Sequence, residues 1–178
     1  MSSRTRSKPN IRIEAQASQI LHRTKCLCFP VPVDLVAQRI GLQVEEATLG
    51  EDVSGVLVIE NGKGTIGYNN SHPLVRQRFS IAHEIGHFIL HQKQGQLFID
   101  KTYKIFLRDQ RSSSGENLQE IQANQFAAAL LMPEELLRQE VIDIGFDLGD
   151  EAALDALADK FQVSNQAMSF RLSNLNIL

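Results

Sequence analysis

The sequence of 178 residues has no apolar run that approaches the ~20 residues of a membrane-spanning helix. We therefore expect that it is not an integral membrane protein. Its first ten residues are basic and polar, and no apolar segment follows them, so they do not have the pattern of a secretory signal. Cysteine is scarce, and Cys26 and Cys28 lie too close in sequence to hold a fold together. These absences predict a protein of the reducing cytoplasm.

Positive charge is not in excess, since 18 Lys and Arg residues stand against 21 Asp and Glu residues and the net charge is −3. Bulk electrostatics therefore gives no reason to expect tight binding to nucleic acid. Internal repeats and low-complexity tracts are also absent, and the length suits one domain with at most a small appendage. We expect a flexible tail at 1–10, a main domain at 11–141 and a helical C-terminal subdomain at 142–178.

The apolar spacing predicts helices, then strands, then more helices, which is the order of an α+β protein. A small antiparallel sheet is expected because Asn61-Gly62 is a turn signal between two apolar runs. The run 111–115 is polar and is expected to be mobile. The predicted helices cover about 11–25, 33–40, 71–91, 116–132, 133–141, 150–161 and 164–175, and the predicted strands cover about 42–45, 55–60, 65–69 and 97–99.

The third of these helices contains His83-Glu84-Ile85-Gly86-His87, which is the H-E-x-x-H pattern. Residues four apart on a helix are offset by about 40° and rise about 6 Å, so His83 and His87 can reach one metal ion from the same face. Glu84 lies about 100° further round and can sit beside the ion without binding it. A purely solvated face is the alternative, but the helix is mostly apolar and is expected to be buried.

Two imidazoles bind zinc weakly, and a catalytic site needs a third protein ligand together with an open position. Glu116 and Glu120 share a face of the next long helix. His91 continues the first histidine face, but three ligands on successive turns would span about 12 Å along the axis. The small residues Ala123 and Ala127 would let the second helix approach closely, which favours Glu120 without excluding Glu116.

Two segments together resemble the ImmA/IrrE family of zinc metallopeptidases: residues 76–87, and Glu120 with Ala123-Asn124 and the following Phe-Ala and Leu-Leu-Met-Pro. The resemblance covers about residues 20–140. It implies a zincin-like metallopeptidase core in which His83, His87 and Glu120 are zinc ligands and Glu84 is the catalytic base. Manganese or another first-row ion could take the same ligands.

The resemblance also implies a function. Characterised members of the family cleave helix-turn-helix transcriptional repressors, which switches on stress-response or mobile-element genes. A protein substrate is therefore expected, most simply a DNA-binding repressor.

Three further residues are candidates for assisting the reaction. Tyr68 and His72 precede the H-E-x-x-H helix and could stabilise a tetrahedral oxyanion, although a structural role is the simpler interpretation for each. Asn124 lies one turn after Glu120 and could form a hydrogen bond to a metal ligand, or could serve packing instead. The strand at 65–69 is the candidate sheet edge for holding an extended peptide.

The C-terminal apolar spacing predicts a helix-turn-helix-like subdomain, with Ser164 as the N-cap of its second helix. That helix contains one basic residue, Arg171, and an acidic segment precedes it. Because phosphate contacts dominate DNA affinity, we favour packing or partner recognition over DNA binding. The alternative function is a non-proteolytic regulatory protein that acts by partner or DNA binding through these helices.

Overall fold

The computed structural model describes residues 10–50, 52–60, 63–91, 97–100, 114–144 and 151–177. Within these ranges the chain forms seven helices and four strands. The elements are α1 (Ile11–Arg23), α2 (Val33–Arg39), β1 (Leu42–Ala47), β2 (Gly55–Glu60), β3 (Lys63–Asn69), α3 (Leu74–His91), β4 (Leu97–Asp100), α4 (Ser114–Leu131), α5 (Glu134–Ile144), α6 (Glu151–Phe161) and α7 (Asn165–Asn174).

Local signals in the sequence explain where several helices begin and end. The Asn10 side chain caps α1 by accepting a hydrogen bond from the backbone N–H of Arg12 at 3.1 Å. Gly41 follows α2 with a φ of +89°, a conformation that glycine adopts without steric cost. Ser164 accepts a hydrogen bond from Ala167 N–H at 3.2 Å, which confirms it as the N-cap of α7. The α+β class is likewise confirmed.

The sheet is mixed, with the strand order β1-β3-β2-β4. β2 is antiparallel to β3 and β4, but β1 is parallel to β3, with pairs from Leu42 and Gly64 to Ala47 and Asn69. The prediction of an antiparallel sheet is therefore wrong for this pair. A turn signal determines only the pairing of strands adjacent in sequence, whereas β1 pairs with a strand that comes after β2.

The position of β3 also corrects the expectation that residues 65–69 form a free sheet edge. β3 lies between β1 and β2, so both of its backbone edges are paired within the sheet. In the part of the sheet that the structure describes, the outer strands are β1 and β4.

Helices α3 and α4 are equally long and are the longest helices that the structure describes. One side of α3 packs on β2 and β3, and another side packs along α4, which in turn packs on α1. The buried core runs continuously through these layers and includes Leu57 and Ile66 of the sheet, Ile85 of α3 and Phe126 of α4. None of the helices in the described ranges combines the length and apolar character that crossing a membrane requires.

Two arginine side chains, one buried and one exposed, join the C-terminal helices to the rest of the chain. The Arg171 side chain of α7 is 4% exposed; its Nη2 lies 2.9 Å from Glu14 Oε2 on α1, and its Nε donates to the Met132 carbonyl at 3.0 Å. Arg138 of α5 donates to the Leu175 carbonyl at 3.0 Å. The boundary expected between residues 141 and 142 stays a prediction.

Two expectations fall mainly on residues that the structure does not describe. The flexible tail at 1–10 lies outside the described residues except for Asn10, which caps α1. The mobile run at 111–115 also lies outside them, apart from its last two residues, which begin α4.

Candidate metal centre

Three side chains from α3 and α4 converge at the interface between the two helices. His83 and His87 are both 2% exposed, and their Nε2 atoms lie 2.9 Å apart. Glu120 of α4 reaches both rings, with Oε2 3.2 Å from His83 Nε2 and Oε1 3.2 Å from His87 Nε2. Among the described residues, these three make up the group of His, Cys, Asp and Glu side chains whose ligand atoms lie within 4.8 Å of one another.

The donor set and its spacing fit a first-row metal ion. A tetrahedral zinc ion with bonds of about 2.0–2.1 Å holds its ligand atoms about 3.3–3.4 Å apart. The three distances between Nε2, Nε2 and carboxylate oxygens are 2.9, 3.2 and 3.2 Å, close to that separation. Two imidazoles and one carboxylate leave a fourth position, and the Glu120 side chain is 38% exposed, so solvent reaches this side of the group.

The electrostatics of the group favour a charged carboxylate. Burial alone would raise the pKa of Glu120, but the hydrogen bonds and charges of His83 and His87 outweigh burial and lower this pKa to about 2. Glu120 is therefore an anion at neutral pH, which is the protonation state that a metal ligand needs.

Asn124 lies against the outer nitrogen of one histidine. Its Oδ1 is 3.0 Å from His83 Nδ1, and because an amide oxygen only accepts hydrogen bonds, this contact favours the tautomer of His83 that carries its proton on Nδ1. The Nε2 lone pair of His83 is then directed towards Glu120 and is available to a metal ion. Helix α4 thus supplies the carboxylate and, one turn later, the amide that orients a histidine.

Glu84 is fully buried, and its side chain lies against β2 of the sheet. It lies over the start of β2, where a Cβ on Gly55 would come 3.1 Å from Glu84 Oε1. The missing side chain at Gly55 therefore leaves room for this carboxylate beside the metal-binding group. Gly55 could not be identified from the sequence, because nothing in the local pattern predicts which helix lies over it.

The structure places the other predicted residues as follows. The Tyr68 hydroxyl donates to Glu46 Oε1 at 3.3 Å, and burial, followed by the charge of Glu46, raises the pKa of this hydroxyl. His72 lies in the turn before α3, and its Nδ1 is buried without a hydrogen-bond partner among the described residues. His91 lies outside the ligand group, and the Glu116 side chain is not among those described.

The fold and the site together define a metallopeptidase-like domain. A sequence profile of the IrrE N-terminal-like domain, peptidase family M78, matches residues 37–173, and the chain therefore belongs to this family. The match confirms the resemblance to IrrE-type proteins that the motifs indicated.

The fold is also similar to a solved structure, a Mycobacterium tuberculosis transcriptional regulator, with a TM-score of 0.63 and 17% sequence identity. The alignment covers 92% of this chain and 47% of the regulator, so the chain spans about half the length of that protein. At this identity the likeness concerns the fold. No protein of curated function matches the sequence.

Proposed function

We propose that the protein is a zinc-dependent endopeptidase with His83, His87 and Glu120 as metal ligands and Glu84 as general base. The observation that carries this proposal is the convergence of two imidazole nitrogens and a carboxylate at 2.9–3.2 Å, with a buried glutamate on the adjoining face of the same helix. Membership of a metallopeptidase family supports it.

A bound zinc ion would supply Lewis acidity, which polarises a carbonyl and acidifies water. The Glu84 carboxylate takes the proton of the attacking water and passes it to the amide nitrogen that leaves. Because Glu84 is packed over Gly55 and fully buried, its carboxylate is preorganised for this transfer. Asn124 keeps His83 in the tautomer whose Nε2 can bind metal. His72 and Tyr68 stay our candidates for stabilising the oxyanion, and Tyr68 would have to exchange its bond to Glu46.

The proposed substrate is a helix-turn-helix transcriptional repressor in the cytoplasm, whose cleavage derepresses stress-response or mobile-element genes. A similar fold in a protein described as a transcriptional regulator is consistent with such a role. An extended segment of the substrate would add to the outer edge of β4, because β4 is the neighbour of β2 at Gly55, directly below Glu84. This edge replaces residues 65–69 as the candidate.

The second candidate is a regulator that binds a partner without cutting it. The C-terminal helices favour a protein partner over DNA, because Arg171 is the only Lys or Arg of α7 and is buried against Glu14. A helix without exposed positive charge lacks the phosphate contacts that supply most DNA affinity.

The two functions can be separated by incubating the zinc-loaded protein with purified helix-turn-helix repressors of the same genome. We expect cleavage by the wild type and no cleavage by Glu84→Gln, which should still bind zinc. Glu45→Gln, an exposed carboxylate on β1, serves as the control and should cleave normally. Stoichiometric binding of the repressor without cleavage would favour the regulatory alternative, and cleavage by Glu84→Gln would refute the role of Glu84.

A further inference from the structure

The two metal-binding helices approach each other closely at Gly86, between the two histidines. A Cβ at this position would lie 3.1 Å from the Ala123 carbonyl oxygen, 3.2 Å from Ala123 Cα and 3.2 Å from Phe126 Cβ. The nearest of these atoms belong to the backbone of α4, which cannot rotate away as a side chain can. Glycine weakens a helix interior relative to alanine, so its presence here points to the close contact with α4.

A second contact joins the end of α3 to α4. The His91 ring lies 3.2 Å, measured from Nε2, from the carbonyl oxygen of Gln119. Because a carbonyl only accepts, Nε2 of His91 is the donor, and this nitrogen faces the backbone of α4 instead of the ligand group. Burial, with a smaller effect of His87, lowers the pKa of His91.

These two contacts lie on either side of the third ligand. Gln119 immediately precedes Glu120 and Ala123 follows it by three residues, so both contacts act on the one turn of α4 that carries the carboxylate. The Glu120 oxygens lie 3.2 Å from both histidine nitrogens, and metal–ligand distances tolerate changes of only about 0.2 Å. A small displacement of this turn would therefore move Glu120 out of ligand distance.

We propose that Gly86 and His91 are positioning residues for the Glu120 ligand: Gly86 lets α4 approach α3, and His91 holds the turn in place through the Gln119 carbonyl. The inference rests on the proposed metal site, and it assigns to His91 a role other than that of a ligand. A ligand role and a positioning role differ in one testable respect. Glutamine can replace the N–H donor of His91, but it cannot replace an imidazole bound to a metal ion.

The test measures zinc affinity of the full chain by competition with a chromogenic chelator. His91→Leu removes the donor and should weaken zinc binding about tenfold or more, the usual effect of losing a group that orients a ligand. His91→Gln should remain within about twofold of the wild type, since its side-chain amide still donates. Gly86→Ala should weaken binding and Gly86→Val should weaken it further. Gly50→Ala is the control, because a Cβ there meets no atom within 4 Å.

Cobalt substitution supplies an independent measurement. The visible absorption of the cobalt-loaded His91→Leu protein should match that of the wild type, because the ligands are unchanged and only their affinity is lower. An equal loss of zinc affinity in His91→Gln and His91→Leu with an altered cobalt spectrum would make His91 a ligand and overturn the inference. Wild-type affinity in His91→Leu would overturn the role of His91. If Gly86→Ala and Gly86→Val are folded by circular dichroism and bind zinc normally, the role of Gly86 is wrong.

Failure of this inference differs from failure of the proposed site. If the wild type and His83→Ala bind zinc equally weakly, the metal site itself is wrong and the positioning roles fall with it. If the wild type binds tightly, His83→Ala does not, and the positioning variants resemble the wild type, only the inference fails.

Discussion

The Nδ1 atom of His83 lies 3.0 Å from Oδ1 of Asn124, and this contact links the tautomer of a metal-binding histidine to a side chain of the neighbouring helix. Asn124 is one turn from Glu120, so any movement of this part of α4 changes the ligand carboxylate and the orientation of His83 together. The geometry of the centre therefore depends on the α3–α4 interface as well as on the H-E-x-x-H motif.

Replacement of Asn124 tests this link. Asn124→Leu removes the acceptor for the Nδ1 proton and should weaken zinc binding about tenfold or more. Asn124→Asp keeps an acceptor oxygen at the same place and should bind zinc at least as well as the wild type. Chelator competition measures both. Equal weakening in the two variants would mean that Asn124 acts through packing and not through the hydrogen bond.

Zinc should stabilise the folded protein through the three predicted ligands. At a free concentration of 100 times its Kd, a ligand that binds only the native state adds about 2.7 kcal/mol to the free energy of unfolding. Zinc should therefore raise the Tm of the wild type, and a strong chelator should reverse the rise. His83→Ala, His87→Ala and Glu120→Ala should show no such rise in calorimetry.

A histidine outside the site provides the control for that experiment. His22 is largely exposed and lies 3.3 Å from Glu135 on the surface. His22→Ala should respond to zinc as the wild type does. A lost response in this variant would indicate that the ion binds elsewhere on the chain.

Gly55→Ala should separate catalysis from metal binding. The added methyl group would lie 3.1 Å from Glu84 Oε1 and 3.4 Å from Glu84 Cγ, so the carboxylate must move by a few tenths of an ångström. We expect slower cleavage of the repressor, with a lower kcat and little change in KM, because the base and not substrate binding is disturbed. Zinc affinity should be unchanged, and a large loss of zinc would contradict this account.

Arg171→Met should destabilise the fold without affecting the metal centre. The substitution leaves the partly buried Glu14 carboxylate without its partner, and breaking a buried ion pair from one side costs about 3–5 kcal/mol. Urea unfolding of the apo protein measures this loss. The double variant Arg171→Met with Glu14→Gln should recover part of the lost free energy of unfolding. If it recovers none, the loss comes from packing alone.

The sequence predicted those parts of the site that depend on local geometry. The four-residue spacing of His83 and His87 is enough to place both rings on one helix face, and the Asn-Gly turn is enough to pair β2 with β3. Local spacing could not decide between Glu116 and Glu120 as the third ligand, because that choice depends on how α4 lies against α3. That arrangement is determined by contacts such as Gly86 with Ala123, which join residues far apart in sequence.

The errors in the sheet have the same physical origin. Alternation of apolar residues predicts a strand at about 42–45, which the structure extends to Leu42–Ala47, but it carries no information on the partner of that strand. The burial of Arg171 could not be predicted from local patterns either. A single arginine on a polar helix is expected to be exposed, and only its contact with Glu14 explains its burial.

Helices α6 and α7 contribute to the common core, and this determines whether a truncated protein can be used in experiments. Leu157, Phe161, Met168 and Leu172 are all fully or almost fully buried within the same cluster as the residues beneath the metal-binding helix. A recombinant fragment that stopped at residue 141 would expose the surface they cover and would be prone to aggregate. Truncated versions are thus poor starting material for crystallisation or assays, and point variants of the whole chain are the better tool.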